Sequence, residues 1–418
     1  MGTMIKYEFK KIFRSRWNIL ITILLLFLVS RATWKHTTTY PTMNEKGKEI
    51  TGKEAVSYLK NQYEIDYPEG ILTDEVIQRD LIRLKKELNF KDSNVDREVA
   101  FQKLFKNPYF ISRRNYFWGL ADGFDSLEEP ISDIFSLLEK QESLPSFYTI
   151  QEQKMANKIE TLPYSDAKKN YLMSFIKEVK TPFEIGYSEG WWVLKMTMDS
   201  SIKYLLLLSG LLVCGIFSEE RTSGMDSLLL SSKKGRKELF HSKVQTAFFI
   251  GVVIAVLSFL LIILPQLIFF GVDGWDLPLQ LESTSEFLPW SISKLRIVEY
   301  GLRILHIFVL IAFATMLSSI FKRKEWVILV YGLFFFFSNF FITFRGEFPN
   351  LQRWINNQGS FLFFLPYLSS CFKSSTMEIY SILGHPVTFY TLAYFIQIIF
   401  IVSCFWVTYG KIKRWEVD

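Results

Sequence analysis

Seven stretches of this chain contain no Asp, Glu, Lys or Arg: residues 17–30, 204–218, 244–272, 304–321, 326–344, 354–372 and 379–410. A helix rises about 1.5 Å per residue and needs about 20 mostly apolar residues to cross a bilayer. The runs 244–272, 326–344 and 379–410 meet that length. The run 304–321 meets it if Arg303 snorkels toward the outer headgroups. The first two runs reach it when extended to Trp34 and back to about Ser200, which leaves Arg31 and Lys203 near an interface. Run 354–372 differs. It opens with Trp354, Asn356, Asn357, Gln358 and Gly359 and carries Pro366, so it is read as a helix lying on or dipping into the outer leaflet. Six spans result, and a single water-soluble globule is excluded.

Charge placement orients these spans. With six spans and an internal N-terminus, the inner segments are 1–16, 219–243, 321–325 and 411–418, and together they hold 17 basic and 8 acidic residues. The short outer loop 273–297 holds Asp273, Asp276, Glu282 and Glu286 against Lys294 and Arg296. That is the positive-inside pattern. A seventh span would place Lys411, Lys413 and Arg414 outside. The net charge of +6 therefore reflects topology, and nucleic acid is not an expected partner. Ser30, Arg31 and Ala32 make a poor cleavage site, so the first span is read as a retained helix rather than a signal peptide. Both termini are expected in the cytoplasm of a multi-pass plasma-membrane protein.

Residues 31–199 hold 51 of the 90 charged side chains, 27 acidic and 24 basic. The stretch 35–198 thus reads as a separate outer domain, large enough to bury a core. Its pattern is helical. Ile77, Leu81, Leu84 and Leu88 recur at helix spacing, with Thr73 as N-cap and Asp74 and Glu75 in the first turn. Further helices are expected at 52–65, 95–106, 129–141, 146–161 and 165–179. Two aromatic clusters, Tyr109 to Trp118 and Trp191–Trp192, are read as core packing and an interfacial belt; the alternative is a hydrophobic ligand surface. Cys214, Cys371 and Cys404 form no CxxC and none lies in the outer block, so neither a disulfide framework nor a zinc site is expected. A cysteine-free outer block points to a bacterial chain.

Span two ends in Phe217, Glu219 and Glu220. Gly224, the apolar run Leu228, Leu229 and Leu230, the pair Ser231–Ser232, Arg236 and finally Lys243 at the start of span three follow. This order resembles the inner loop of type-2 ABC-transporter permeases. The N-terminus is similar too. Ile5, Phe9, Ile12 and Phe13 form one apolar face while Lys6, Lys10 and Arg14 meet headgroups, as in that family's interfacial helix. The resemblance covers the N-terminus, the span order and the inner loop, and leaves out the outer block. It implies an all-α membrane fold organised as 1–34 (interfacial helix and first span), 35–198 (extracellular helical domain) and 199–418 (five further spans with the coupling loop 219–243). It further implies a separate ABC ATPase subunit in two copies, carrying ATP and Mg, and a second permease copy, identical or not. The expected role is a lever. Leu228 to Leu230 fill a groove in the ATPase, and flanking charges orient the contact. An ordinary solvated loop whose cations only set topology is the competing reading.

This chain has no ATP site of its own: GxxxxGK[ST] is absent, and the segment around Lys233, Lys234, Gly235 and Arg236 lacks its spacing. The histidines 36, 241, 306 and 385 lie far apart, and no HExxH or GxSxG occurs, so no catalytic or metal residues are assigned. Within the spans, Glu299, Arg303 and His306 fall on one face of span four, read as a local ion pair near its outer end or as a substrate contact. Gln266, Asn339 and Gln397 are expected to hydrogen-bond between helices. The Phe-rich span five suggests lipid contact or a greasy route. The expected function is export of a hydrophobic or amphipathic substrate, such as an antimicrobial peptide or a lipid-linked molecule. The alternative is a non-transporting sensor whose outer domain binds a ligand or a cell-wall enzyme.

Overall fold

The computed structural model describes residues 2–90, 97–125, 133–225, 235–282, 286–343 and 379–414, with the backbone alone for 2–5, 236 and 337–343. It is mainly helical. An amphipathic helix α1 (Gly2–Arg14) leads into α2 (Arg16–Thr38). A long non-membrane region follows: α3 (Gly52–Asp66), α4 (Asp74–Glu87), α5 (Arg97–Leu104), α6 (Pro108–Ser112), α7 (Arg114–Phe124), α8 (Ile134–Glu139), α9 (Phe147–Thr161) and α10 (Asp166–Glu178). The chain returns as α11 (Glu189–Val213) and turns into α12 (Ser218–Ser223). Next come α13 (Gly235–Ser258), α14 (Leu264–Phe270), α15 (Ile292–Ile320), α16 (Lys324–Thr343) and α17 (Phe389–Lys413).

Among the described residues, five helical stretches are long and apolar enough to cross a membrane: Arg16–Thr38, Glu189–Ser223, Lys237–Phe270, Ile292–Ile320 and Phe389–Lys413. The twenty-residue α16 sits where the fifth of the six expected spans was placed and is not among these five. Two boundaries differ from the sequence reading. The run 379–410 is not all helix: β5 (Ile379–Ile382) and β6 (His385–Thr388) pair first, around a turn in which Leu383 and Gly384 both take positive φ, and α17 begins at Phe389. The outer loop 273–297 is shorter than expected, because Ser291 caps α15 by accepting the Lys294 N–H at 3.3 Å. The run 354–372 lies outside the described residues.

The spans pack on a shared apolar core that includes Val29, Leu205, Val213, Ile250, Leu310 and Tyr331. The outward faces carry Trp17, Leu20, Phe27 and Trp34 on α2 and Ile399, Val402 and Trp406 on α17, all exposed, as a lipid-facing surface requires. Between α13 and α14 the helix widens into a π turn at Phe259–Ile263, just before Pro265, whose missing N–H breaks the regular ladder. Gln266 then reaches across, donating to Thr37 Oγ1 at 2.7 Å and Thr197 Oγ1 at 3.2 Å, a polar clasp on α2 and α11. Gln397, in contrast, is fully buried with neither side-chain polar atom bonded among the described residues.

The non-membrane region has its own core. Ile77, Leu81, Leu84 and Leu88 are buried as the helix period requires, and Thr73 caps α4 by accepting the Val76 N–H at 3.3 Å. Tyr109, Phe110, Tyr116 and Phe117 are buried in the same core. Its polar centre is Asp80, 1% exposed, which accepts from the Tyr67 and Tyr116 hydroxyls at 2.9 and 3.0 Å and pairs with Arg79. Two short antiparallel strand pairs add to it: the hairpin of β1 (Pro41–Met43) with β2 (Glu49–Thr51), and the long-range pairing of β3 (Ile71–Leu72) with β4 (Phe183–Glu184).

Candidate functional site

At the end of α11 the helix does not stop but tightens through Cys214–Phe217 into α12. The free amides this exposes find one acceptor: the Phe217 and Ser218 N–H groups both donate to Ser318 Oγ on α15, at 2.9 and 3.0 Å. Four further contacts fix α12 to the end of α15 and the start of α16. Arg221 donates to the carbonyls of Ser319 and Ile320, Thr222 donates to the Lys322 carbonyl at 2.9 Å, and Lys324 pairs with Glu219 at 2.7 Å. Gly224 ends α12 in the left-handed conformation (φ +71°), where a side chain would be strained.

The opposite side of α12 is tied by Lys243. Its side chain is fully buried, and its ammonium reaches Glu220 Oε1 at 2.8 Å, Glu8 Oε2 at 3.1 Å and the Ile216 carbonyl at 2.6 Å. The ammonium also lies 5.5 Å from the centre of the Phe217 ring, and Lys11 adds a second cation 3.4 Å from Glu220. One cation thus joins α1, the end of α11, α12 and α13. Burial pushes the Glu8 carboxyl above its usual range, and the Lys243 ammonium opposes that shift. Two carboxylates against one fully and one partly buried cation form a compensated group, which buried charge requires.

The apolar face of α1 serves this node. Ile12 is buried, Phe9 and Phe13 pack with their rings tilted at 4.8 Å between centres, and Phe9 also meets Phe249 of α13 at 5.4 Å. Lys10 and Arg14 point outward and are exposed. Of the inner-loop residues singled out in the sequence, the structure brings together Phe217, Glu219, Glu220, Gly224 and Lys243. Leu228, Leu229 and Leu230 lie outside the described residues, as does the side chain of Arg236. Glu8 was missed by the sequence reading, and no local period could have found it. Its partner lies 235 positions away.

A second charged group lies at the other end of the bundle. Arg296, Glu299, Arg303 and His306 are each at most 2% exposed, so Arg303 does not snorkel to a surface. Glu299 accepts from Arg296 at 3.0 Å and faces Arg303 at 3.7 Å. Arg296 also pairs with Glu282, and Arg303 with Asp199, which Lys195 approaches at 3.0 Å. Burial raises the Glu282 carboxyl, opposed by Arg296. Asn339 belongs to α16, where only the backbone is described. Among the described residues no group of His, Cys, Asp and Glu is arranged to hold a metal ion.

Neither the curated proteins nor the solved structures compared with the chain match it significantly. The family described as ABC-2 family transporter protein matches residues 3–405, nearly the whole chain, taking in α1, the bundle and the α11–α12 turn alike. An apolar helix bundle, an amphipathic N-terminal helix locked to the turn at the end of α11 and a large helical insertion therefore have one common explanation: the chain is a membrane permease of the ABC-2 transporter family.

Proposed function

We propose that the chain is the permease subunit of an ATP-driven exporter with six spans, α16 completing the set, and both termini in the cytoplasm of a bacterial plasma membrane. The residues between α2 and α11 form the extracellular domain. ATP and Mg bind a separate ATPase subunit, present in two copies beneath a pair of permeases. The substrate is hydrophobic or amphipathic, such as an antimicrobial peptide or a lipid-linked molecule.

The observation that carries this reading is the Lys243 node. A loop that only satisfied topology would leave its cations in water. Here one inner-loop lysine is fully buried and joins α1, α12 and α13 into one unit, while α12 is also fastened to the α15–α16 turn. A push on the loop is then delivered to several spans at once. Leu228 to Leu230 supply the apolar contact with the ATPase and Arg236 sets its orientation, while Glu219 and Glu220 tie the loop to the bundle.

Purification of the full-length chain from its own membranes tests this. A nucleotide-binding chain is expected to co-purify, and Leu229→Asp is expected to release it while leaving the permease folded. Absence of any such chain, or its retention by Leu229→Asp, would overturn the coupling role.

A further inference from the structure

Two cavities, of about 450 and 420 Å³, lie where the extracellular domain meets the first turn of α11. They share three wall residues: Asn115, Glu189 and Trp192. Glu189 is 7% exposed, and one carboxylate oxygen accepts from the Tyr40 hydroxyl at 2.9 Å and the Asn115 amide at 3.3 Å. Both donors are neutral. Among the described residues no Lys, Arg or His comes within ion-pairing distance of Glu189, whereas the other buried carboxylates of the bundle, Glu8, Glu220 and Glu299, are each paired. Lys158 lines one cavity and Arg114 the other, both beyond that distance. A buried carboxyl that is hydrogen-bonded only by neutral donors holds its charged form favourably once a cation joins it, so the site gains most from a cationic partner. The surrounding walls suit one with an apolar body: Trp118, Tyr116 and Tyr63 line the first cavity and Trp192 faces both. Aromatic faces attract ammonium and guanidinium groups and bury the carbon attached to them.

We propose that the paired cavities bind a cationic amphipathic ligand, its ammonium or guanidinium group against Glu189 and its apolar part among Trp118, Tyr116 and Trp192. This deepens the exporter reading by naming a substrate class and rests on that reading only in calling the ligand a substrate. Binding is measured without any ATPase, so the two can fail separately.

The test uses the full-length chain in lipid nanodiscs and two peptides, acetyl-Trp-Arg-Trp-amide and its isosteric neutral citrulline counterpart, compared by calorimetry. The arginine peptide is expected to bind at least about tenfold more tightly, the scale of one charge-assisted contact of about 1.4 kcal/mol. Glu189→Gln is expected to erase that preference. Trp118→Leu keeps the carboxylate and is expected to weaken both peptides while the preference stays, which gives a second reading should Glu189→Gln fold poorly. Equal binding of the two peptides to the native chain, no binding of either, a preference that survives Glu189→Gln, or undiminished binding to Trp118→Leu would overturn the proposal.

Discussion

Replacing Lys243 by Met keeps the volume of the side chain and removes its charge. Glu8 and Glu220, 7% and 5% exposed, would then be left with Lys11 alone, which is partly in solvent and 3.4 Å from Glu220. Removing one partner of a buried ion pair costs about 3–5 kcal/mol. The Ile216 carbonyl also loses its donor, but protonation of a carboxylate offsets part of the total, so a loss of about 3–5 kcal/mol is expected. The assay is reversible unfolding in mixed micelles, followed by tryptophan fluorescence. Glu8→Gln and Glu220→Gln added to Lys243→Met neutralise the group and should recover at least about 2 kcal/mol. The pH dependence has a definite sign. The Glu8 carboxyl is raised in the folded chain, so its proton favours the fold, and that contribution fades as pH rises through the folded value. Lys243→Met removes the group that opposes this rise. Its defect should therefore shrink as pH falls from neutral to about 5. A Lys243→Met chain within about 1 kcal/mol of the native one, or a triple variant no better than the single, would refute the account of the node.

Three other outcomes follow from the packing. A methyl group at Gly210 would fall 2.1 Å from the Tyr331 ring, so Gly210→Ala should cost about 1–3 kcal/mol in the same assay, and should cost less than that when added to a chain already carrying Tyr331→Ala. Asp80→Ala strands the buried Tyr67 and Tyr116 hydroxyls, and proteolysis should then cut the helical region between α2 and α11 faster while the span helices stay protected. Glu299→Gln leaves Arg296 and Arg303 short of an anion; transport should fall while co-purification of the ATPase is unchanged, as the site is remote from the inner loop.

Five of the six expected spans were legible because lipid demands long apolar helices, and α4 was legible because its cap and period are local. Three things were not. The β5–β6 hairpin hides in an uncharged run because strand and helix can both be apolar, and only the Leu383–Gly384 turn marks it. Arg303 reads as an interfacial residue until Asp199, 104 positions away, is placed beside it. Glu8 reads as one charge on the polar face of an amphipathic helix, and its burial depends on Lys243 arriving from a different span. Periodicity shows which face of an element is apolar; it cannot show which charge from a distant element lands on it.

If ATP hydrolysed by a separate chain drives substrate through this permease, a labelled amphipathic peptide can be followed into inside-out vesicles holding the permease alone, the co-purifying ATPase alone, or both. Uptake is expected only with both and only with ATP, at a rate that tracks hydrolysis. Stimulated hydrolysis without uptake would contradict this coupling and favour a sensor, and uptake by the permease alone would contradict it as well.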